Sequence, residues 1–485
     1  MKAIPGDLQP AKATGRAEND ALELNQEPRA PGSTHAFTMR SGGGTPSDGV
    51  ERGCPVRRVS ADRPKMREYL LCVPREMRSG FDRSKLGKAL DKQTDRQARL
   101  SCDRFNHYVM TLTPAEASRY REQGFVVAEN RVINRPMPPV TQLDATDDIG
   151  GLTALGNDVH GFTRMNNELG MSGEGTKVVI VDSGLAQVPN LPRIERFFDA
   201  IESRETSPRD GNGHGTFCGG IVSAQGNDGR VVGAAPSASL SGARVLDDSG
   251  RGSTATILAA LRRIIEWSES PEWRDHPVVV NMSLGGTAVG SRAQDPFEPL
   301  IREMEEVHGI MVCMAAGNDG DLPPPGGLGR VASPAWVTNG LSVAATDHRG
   351  TADVGDDRIA GFSSPGDPNG PAGQNDNPDI SAAGSNVESL LVSGGVGRSS
   401  GTSFSSPFLA AASANLLGDA KRRFDAGQFE LSPRDMVRQR ALHGLLTETA
   451  ADIRTEPRQF DGAGDLRAFD AGQLMLQRFG ASSAA

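Results

Sequence analysis

The sequence predicts an α/β protein: a mostly parallel sheet covered on both faces, preceded by a small α+β module. Three observations carry this. Apolar runs of strand length recur after residue 150 and end in small or polar residues: "TKVVIVDSG" (176–184), "PVVVNMSLGG" (277–286), "GIMVCMAAGN" (309–318) and "NGLSVAAT" (339–346). Helical patterns such as "ATILAALRRIIEW" (255–267) and "FEPLIREMEEVH" (297–308) lie between them. Such alternation implies strands buried on both faces by crossover helices. Before residue 136 the order is different, with short strands and helices in near-equal share.

Residues 1–63 are rich in Gly, Pro, Ser and charge and lack apolar periodicity, the composition of a disordered tail. Order is expected to begin at "MREYLLCVP" (66–74), a strand, followed by a short helix in "SKLGKALDKQ" (84–93). "FNHYVMTLT" (105–113) alternates as a strand does. "TPAEASRYREQGF" (113–125) carries Pro at a first helical turn with Glu soon after, a helix start. "VVAENRVINRP" (126–136) reads as a third strand. The module therefore spans 64–136, a linker 137–150 and one large domain 151–485.

Composition narrows the class. At 37% hydrophobic but 5% aromatic, the chain can build a large core from small side chains. No apolar run reaches the ~20 residues that span a bilayer, so no membrane partner is expected. The start has no charged-then-apolar leader pattern, which predicts a cytoplasmic protein unless export is non-classical or the start codon is misassigned. The cysteines number 5, and their spacing matches neither a disulfide framework nor a zinc site. Free thiols fit a reducing compartment. The net charge of -9 divides unevenly, +7 over residues 1–136 and −16 over the remainder. Residues 51–100 hold 14 Lys/Arg against 7 Asp/Glu. A basic block could bind nucleic acid or dock on its own acidic partner domain. Docking is favoured: acids interleave with the basic residues, and no nucleic-acid motif accompanies them.

Parallel sheets place their chemistry at the carboxyl ends of strands. Asp182, Asn281, Ser283 and Asn318 fall at such ends. "DGNGHGTFCGGIV" (210–222) sets His214 among glycines ahead of a helical run. "GTSFSSPFLAAASANLL" (401–417) begins with Gly-Thr-Ser and becomes a helix, in which Pro407 costs no donor if it lies in the first turn. A serine at that end would sit in the positive pole of the helix. Taken singly, a turn Asp, a loop His, a turn Asn and an N-cap Ser explain the four residues equally well. Together they are residue types from which acyl transfer could draw an acid, a base, an oxyanion donor and a nucleophile.

In the order Asp, His, Ser, these residues resemble the subtilisin-like serine proteases, the subtilases. The resemblance runs from about 150 to 475 through "DGNGHGT", "GAAPSASL" (233–240), "NMSLGG", "AAGND" (315–319), "PDISAAG" (378–384), "GTSFSSP" and "FDGAGDLRAFDAGQLM" (460–475). It implies a three-layer α/β fold and a serine endopeptidase acting through an acyl-enzyme, with no cofactor needed for the chemistry. Asp182, His214 and Ser403 would form the triad, and Asn318 would donate to the oxyanion. Ser283, Leu284 and Gly285, with Gly250 and Gly252 opposite, resemble the two edges that hold a polypeptide substrate. Ala332 resembles the floor of the primary specificity pocket.

Cys218, four residues after His214, is expected as a buried structural thiol, as in proteinase K-like members. Phe217 and Phe404 depart from the family's usual residues. "SAQGNDGRVVG" (223–233) resembles a calcium loop, with Asn190 and Asn227 as candidate metal ligands. The 64–136 module resembles the family's inhibitory prodomain, with autocleavage expected in 137–150. A catalytically silent, peptide-binding or regulatory relative is the alternative. A serine esterase of another fold is disfavoured because His214 precedes Ser403.

Overall fold

The computed structural model describes residues 65–134, 138–143, 152–227, 231–288, 290–320, 331–351, 353–366, 378–453 and 458–480. The expected tail over 1–63 and residues 144–150 of the expected linker lie outside them.

In the module, β1 (Arg67–Cys72), β2 (His107–Leu112) and β3 (Val126–Glu129) form an antiparallel sheet in the order β2-β1-β3. Period-two alternation sorts its faces. Tyr69, Leu71, Tyr108 and Met110 bury in the module's own core, and Leu70 and Val109 turn to the other side. Two helices, α1 (Asp95–Leu100) and α2 (Pro114–Glu122), each open with a capping box, Thr94 with Gln97 and Thr113 with Glu116. No apolar stripe announces α1, whose only sequence signal is that cap. The helix expected over 84–93 is a 3₁₀ segment, Arg83–Ala89, broken at Gly87, where φ is +51°.

The third expected strand divides. β3 ends at Glu129, and β4 (Val132–Asn134) leaves the module to pair with the large domain. Part of the expected linker is also a strand, β5 (Thr141–Leu143).

The large domain contributes β6 (Lys177–Asp182), β7 (Phe197–Asp199), β8 (Arg204–Glu205), β9 (Ser239–Arg244), β10 (Arg251–Ser253), β11 (Val278–Met282), β12 (Ile310–Ala315), β13 (Leu341–Asp347), β14 (Arg358–Ile359), β15 (Ile380–Ala383), β16 (Val387–Leu390) and β17 (Val396–Ser399). Among the described residues, the central sheet runs β14-β13-β12-β11-β6-β9-β7-β8, with β15 also beside β13. Pairing is parallel except at β14 and β8. β5 joins a smaller antiparallel sheet through β17, and β4 pairs with β10.

The helices bearing on the site are α3 (His214–Ser223), α4 (Thr254–Glu269), α5 (Glu298–Glu306) and α6 (Thr402–Asp425). Val178 and Ile180 of β6 pack with α3 and α6, and Val179 and Val181 pack with α4 and α5. Both faces are covered, as the apolar runs require. Pro407 is the sixth residue of α6, not a first-turn residue, so one intrahelical donor is lost after all.

The module docks on the α4 and α5 face. Leu70, Leu100, Phe105 and Val109 share one buried cluster with Ile257, Leu261 and Leu300. Arg78 pairs with Glu303 at 2.7 Å, and Arg104 pairs with Glu269. The first N–H groups of α4, orphaned at any helix start, are satisfied from the module. Thr254 N donates to Arg131 O at 3.1 Å, and Ala255 N donates to Asn130 Oδ1 at 2.9 Å. This capping occupies Asn130 and Arg131 where the chain leaves β3 and turns onto β10.

Candidate catalytic site

β6 delivers Asp182, fully buried, to its carboxyl end. One oxygen, Oδ1, accepts the Ser183 N–H at 2.6 Å and the His214 Nδ1–H at 2.8 Å. His214 is the first residue of α3 and is itself buried. Gly213 before it has φ +97°, a conformation favouring glycine. A Cβ on Gly215 would stand 1.9 Å from the Gly184 carbonyl, so only glycine lets α3 approach β6 this closely. Burial, the largest single influence, would lower the His214 pKa, but the Asp182 carboxylate and the Cys218 sulfur together, through charge and hydrogen bonds, hold the ring well above its ordinary 6.5.

Asp210 orients this segment and escaped the sequence analysis. Its Oδ1 accepts from Ser183 Oγ at 2.9 Å and Gly213 N at 2.8 Å, and its Oδ2 accepts from Thr216 N at 2.9 Å and Thr216 Oγ1 at 2.7 Å. The available signal was its place at the head of "DGNGHGT", where an Asp before a Gly-rich turn caps the following helix.

Ser403 is the second residue of α6. Its hydroxyl donates to Ser283 O at 3.2 Å rather than to His214. The two halves of the site still meet. Cys218 Sγ lies 3.9 Å from His214 Nδ1 and 3.5 Å from Ser403 O, and the Phe404 and His214 rings are 5.6 Å apart. Cys218 is fully buried, as expected, and burial raises its pKa, which keeps it a thiol. Asn318, half-buried, accepts on Oδ1 from Thr402 N at 2.9 Å and Thr402 Oγ1 at 2.8 Å. That fixes its amide, and Nδ2 has no partner among the described residues.

The two segments expected to hold substrate are not alike. Ser283 and Leu284, 1% and 2% exposed, continue β11, and a Cβ on Gly285 would meet the Ala332 Cβ at 2.9 Å. Gly317 faces the same methyl at 3.2 Å, so Ala332 closes one wall between these glycines. Gly252 pairs with Ile133 of β4, and Gly250 lies outside the ladder in a turn with φ +76°. Ile133 is buried, with Cδ1 3.2 Å from where a Gly286 Cβ would be.

The two asparagines expected as metal ligands are joined to each other through one hydrogen bond. Asn190 Oδ1 accepts from Asn227 N at 2.9 Å and Nδ2 donates to Val231 O at 3.2 Å, so the amide braces the loop directly. Asn227 is engaged there through its main chain, and its side chain is exposed. Calcium takes oxygen ligands, carboxylates and carbonyls alike, and the Asn190 amide oxygen is already engaged by the Asn227 N–H.

The sequence profile of the Subtilase family matches residues 173–478. The chain is 37% identical over 238 residues to serine protease AprX of Bacillus subtilis, covering 48% of this chain and 51% of AprX. It is 32% identical over 250 residues to subtilisin E of Bacillus subtilis, covering 51% and 57%. With subtilisin Savinase of Lederbergia lenta, identity is 32% over 245 residues, 50% of this chain and 77% of that protein. The chain thus spans about half the length of AprX and subtilisin E. Since the profile covers well over half of the chain and takes in Asp182, His214, Asn318 and Ser403, the chain belongs to the subtilase family.

Proposed function

We propose that this chain is a serine endopeptidase made as a self-inhibited precursor. The observation that carries it is the buried 2.8 Å bond between His214 Nδ1 and Asp182 at the head of a parallel sheet, beside Ser403. Ser403 Oγ attacks the peptide carbonyl, and His214 Nε2 takes the hydroxyl proton. Asp182 holds the tautomer and stabilises the imidazolium. The oxyanion is met by Asn318 Nδ2 and the Ser403 N–H. The amine leaves with the proton from His214, and water then hydrolyses the acyl-enzyme. Substrate polypeptide lies as an added antiparallel strand between the 283–285 and 250–252 edges. Ala332 leaves a pocket for apolar side chains.

The inhibitory role of the 65–134 module is supported by what occupies those edges. β4 already holds the place of a substrate strand at Gly252, and Pro138 lies 3.7 Å from where a Gly401 Cβ would be. The bonds joining Asn134 to Pro138 are therefore those proposed for self-cleavage; all but the last of them precede the 137–150 window expected from the sequence. Residues 135–137 lie outside the described residues.

Intact-mass analysis of wild-type and Ser403→Ala protein tests the assignment. Wild type should lose its N-terminal part and take one fluorophosphonate label at Ser403, and Ser403→Ala should do neither. A wild type that keeps its N-terminal part, and takes no label once that part is removed, would sink the enzyme and leave a peptide-binding relative.

A further inference from the structure

Pro407 lies four residues after Ser403, so it occupies the position whose N–H would close the helix onto the Ser403 carbonyl. Proline has no N–H, and its ring crowds that carbonyl. The orphaned acceptor belongs to the candidate nucleophile itself and is buried. Donors come from outside the helix. Ser283 Oγ donates to Ser403 O at 2.6 Å, and Cys218 Sγ donates to it at 3.5 Å.

The Ser283 hydroxyl is itself held. Asn281 Nδ2 donates to Ser283 Oγ at 3.0 Å, and Ser406 Oγ donates to Asn281 Oδ1 at 2.7 Å. Ser406, Asn281 and Ser283 are 0%, 0% and 1% exposed, so water does not compete. The directions are forced. A carbonyl only accepts, and the amide of Asn281 must donate from nitrogen and accept at oxygen. A one-way chain therefore runs from the Ser406 hydroxyl through Asn281 and Ser283 to the Ser403 carbonyl, and each bond polarises the next. A return bond, Ser403 Oγ to Ser283 O at 3.2 Å, closes a ring between nucleophile and substrate edge.

We propose that Ser283, Asn281 and Ser406 are positioning residues for Ser403, replacing through their side chains the backbone donor that Pro407 removes. The proposal rests on Ser403 being the nucleophile. Ser283 then has two tasks. Its main chain lies on the edge that holds the substrate, and its hydroxyl fixes the main chain of the attacking residue. Substrate and nucleophile share one anchor, so the attack distance is set by one residue. Ser406, second in the Ser-Ser pair after the nucleophile, is the first donor of the chain rather than a small residue that merely allows close packing.

The test is a double-mutant cycle between Ser283→Ala and Pro407→Ala, read as the rate of fluorophosphonate labelling at Ser403 on the self-processed protein. Ser283→Ala should label about tenfold to a hundredfold more slowly, the scale of a misplaced reacting atom. Pro407→Ala supplies the missing N–H, so it should restore several-fold of that loss in the Ser283→Ala background and give no gain in wild type. Asn281→Leu, which keeps volume but removes the amide, should show a smaller loss that disappears when Ser283 is already replaced by alanine. Equal factors from Pro407→Ala in both backgrounds, or wild-type labelling by Ser283→Ala, overturn the proposal while leaving Ser403 as nucleophile. Absence of label in wild type removes the nucleophile and the proposal together.

Discussion

At His214, burial and charge act in opposite directions. Removal from water disfavours the imidazolium, and the Asp182 carboxylate at 2.8 Å, with Cys218 beside it, more than offsets that. A base works only when unprotonated, so kcat/KM should fall as pH drops through the His214 pKa, with the acid limb above the ordinary 6.5. Asp182→Asn should move that limb down and lower kcat by about 10⁴-fold, since the amide cannot enforce the tautomer; a pH–rate profile of both proteins checks it. Asn190 poses a different question. Its amide ties two strands of chain at Asn227 and Val231. Asn190→Ala should cost about 1–3 kcal/mol, the penalty of stranding buried main-chain groups. Denaturant unfolding should show the loss, and added calcium should not restore it.

At the scale of elements, the contact between β2 and α4 decides how the module opens. His107 is buried against Arg262, whose Nη1 donates to His107 Nδ1 at 3.3 Å, so the docked ring is unprotonated there. Arg78 also faces it, and the neighbouring strand residues Cys72 and Cys102 bring no carboxylate. Burial first, then these two cations, push the His107 pKa well below 6.5. An opened module would regain the ordinary value. Docking is therefore fully supported above about pH 6.5 and weakens as pH falls below it. The protection of β1 and β2 amides against hydrogen exchange in the Ser403→Ala chain, corrected for the intrinsic slowing of exchange in acid, should fall on acidification from about pH 7 to about pH 5, the range that brackets the ordinary histidine value. His107→Gln should flatten that dependence, and an unchanged slope would refute it.

For the whole molecule, the module and large domain share, among the described residues, a buried cluster, two ion pairs and a strand pairing. Self-cleavage between Asn134 and Pro138 would free β4 from its covalent tether without removing these contacts, so the cut module should stay bound. Size-exclusion chromatography of the processed protein should recover both parts together, with a new N-terminus among residues 135–138. Two separate peaks at neutral pH would contradict the docking.

Much of this organisation was legible in the chain itself. Val178 to Val181 announce a strand buried on both faces because every position is apolar, and Thr113 with Glu116 marks a helix start because the two side chains cap locally. The residue types of the candidate site were legible for the same reason: Asp182, His214, Asn318 and Ser403 stand in short stretches whose glycines permit close backbone approach. What remained hidden depends on partners distant in sequence. The chain turns onto β10 beside α4, whose first N–H groups find acceptors on Asn130 and Arg131. Asn190 became a brace because its amide meets Asn227 and Val231 across the fold. The donor that Pro407 denies to Ser403 could be counted from sequence, but its replacement by Ser283 could not. Local spacing determined the elements and the chemical groups available. Only tertiary structure decided which buried polar atoms would satisfy one another, because a hydrogen bond between distant residues exists only once the packing brings them together.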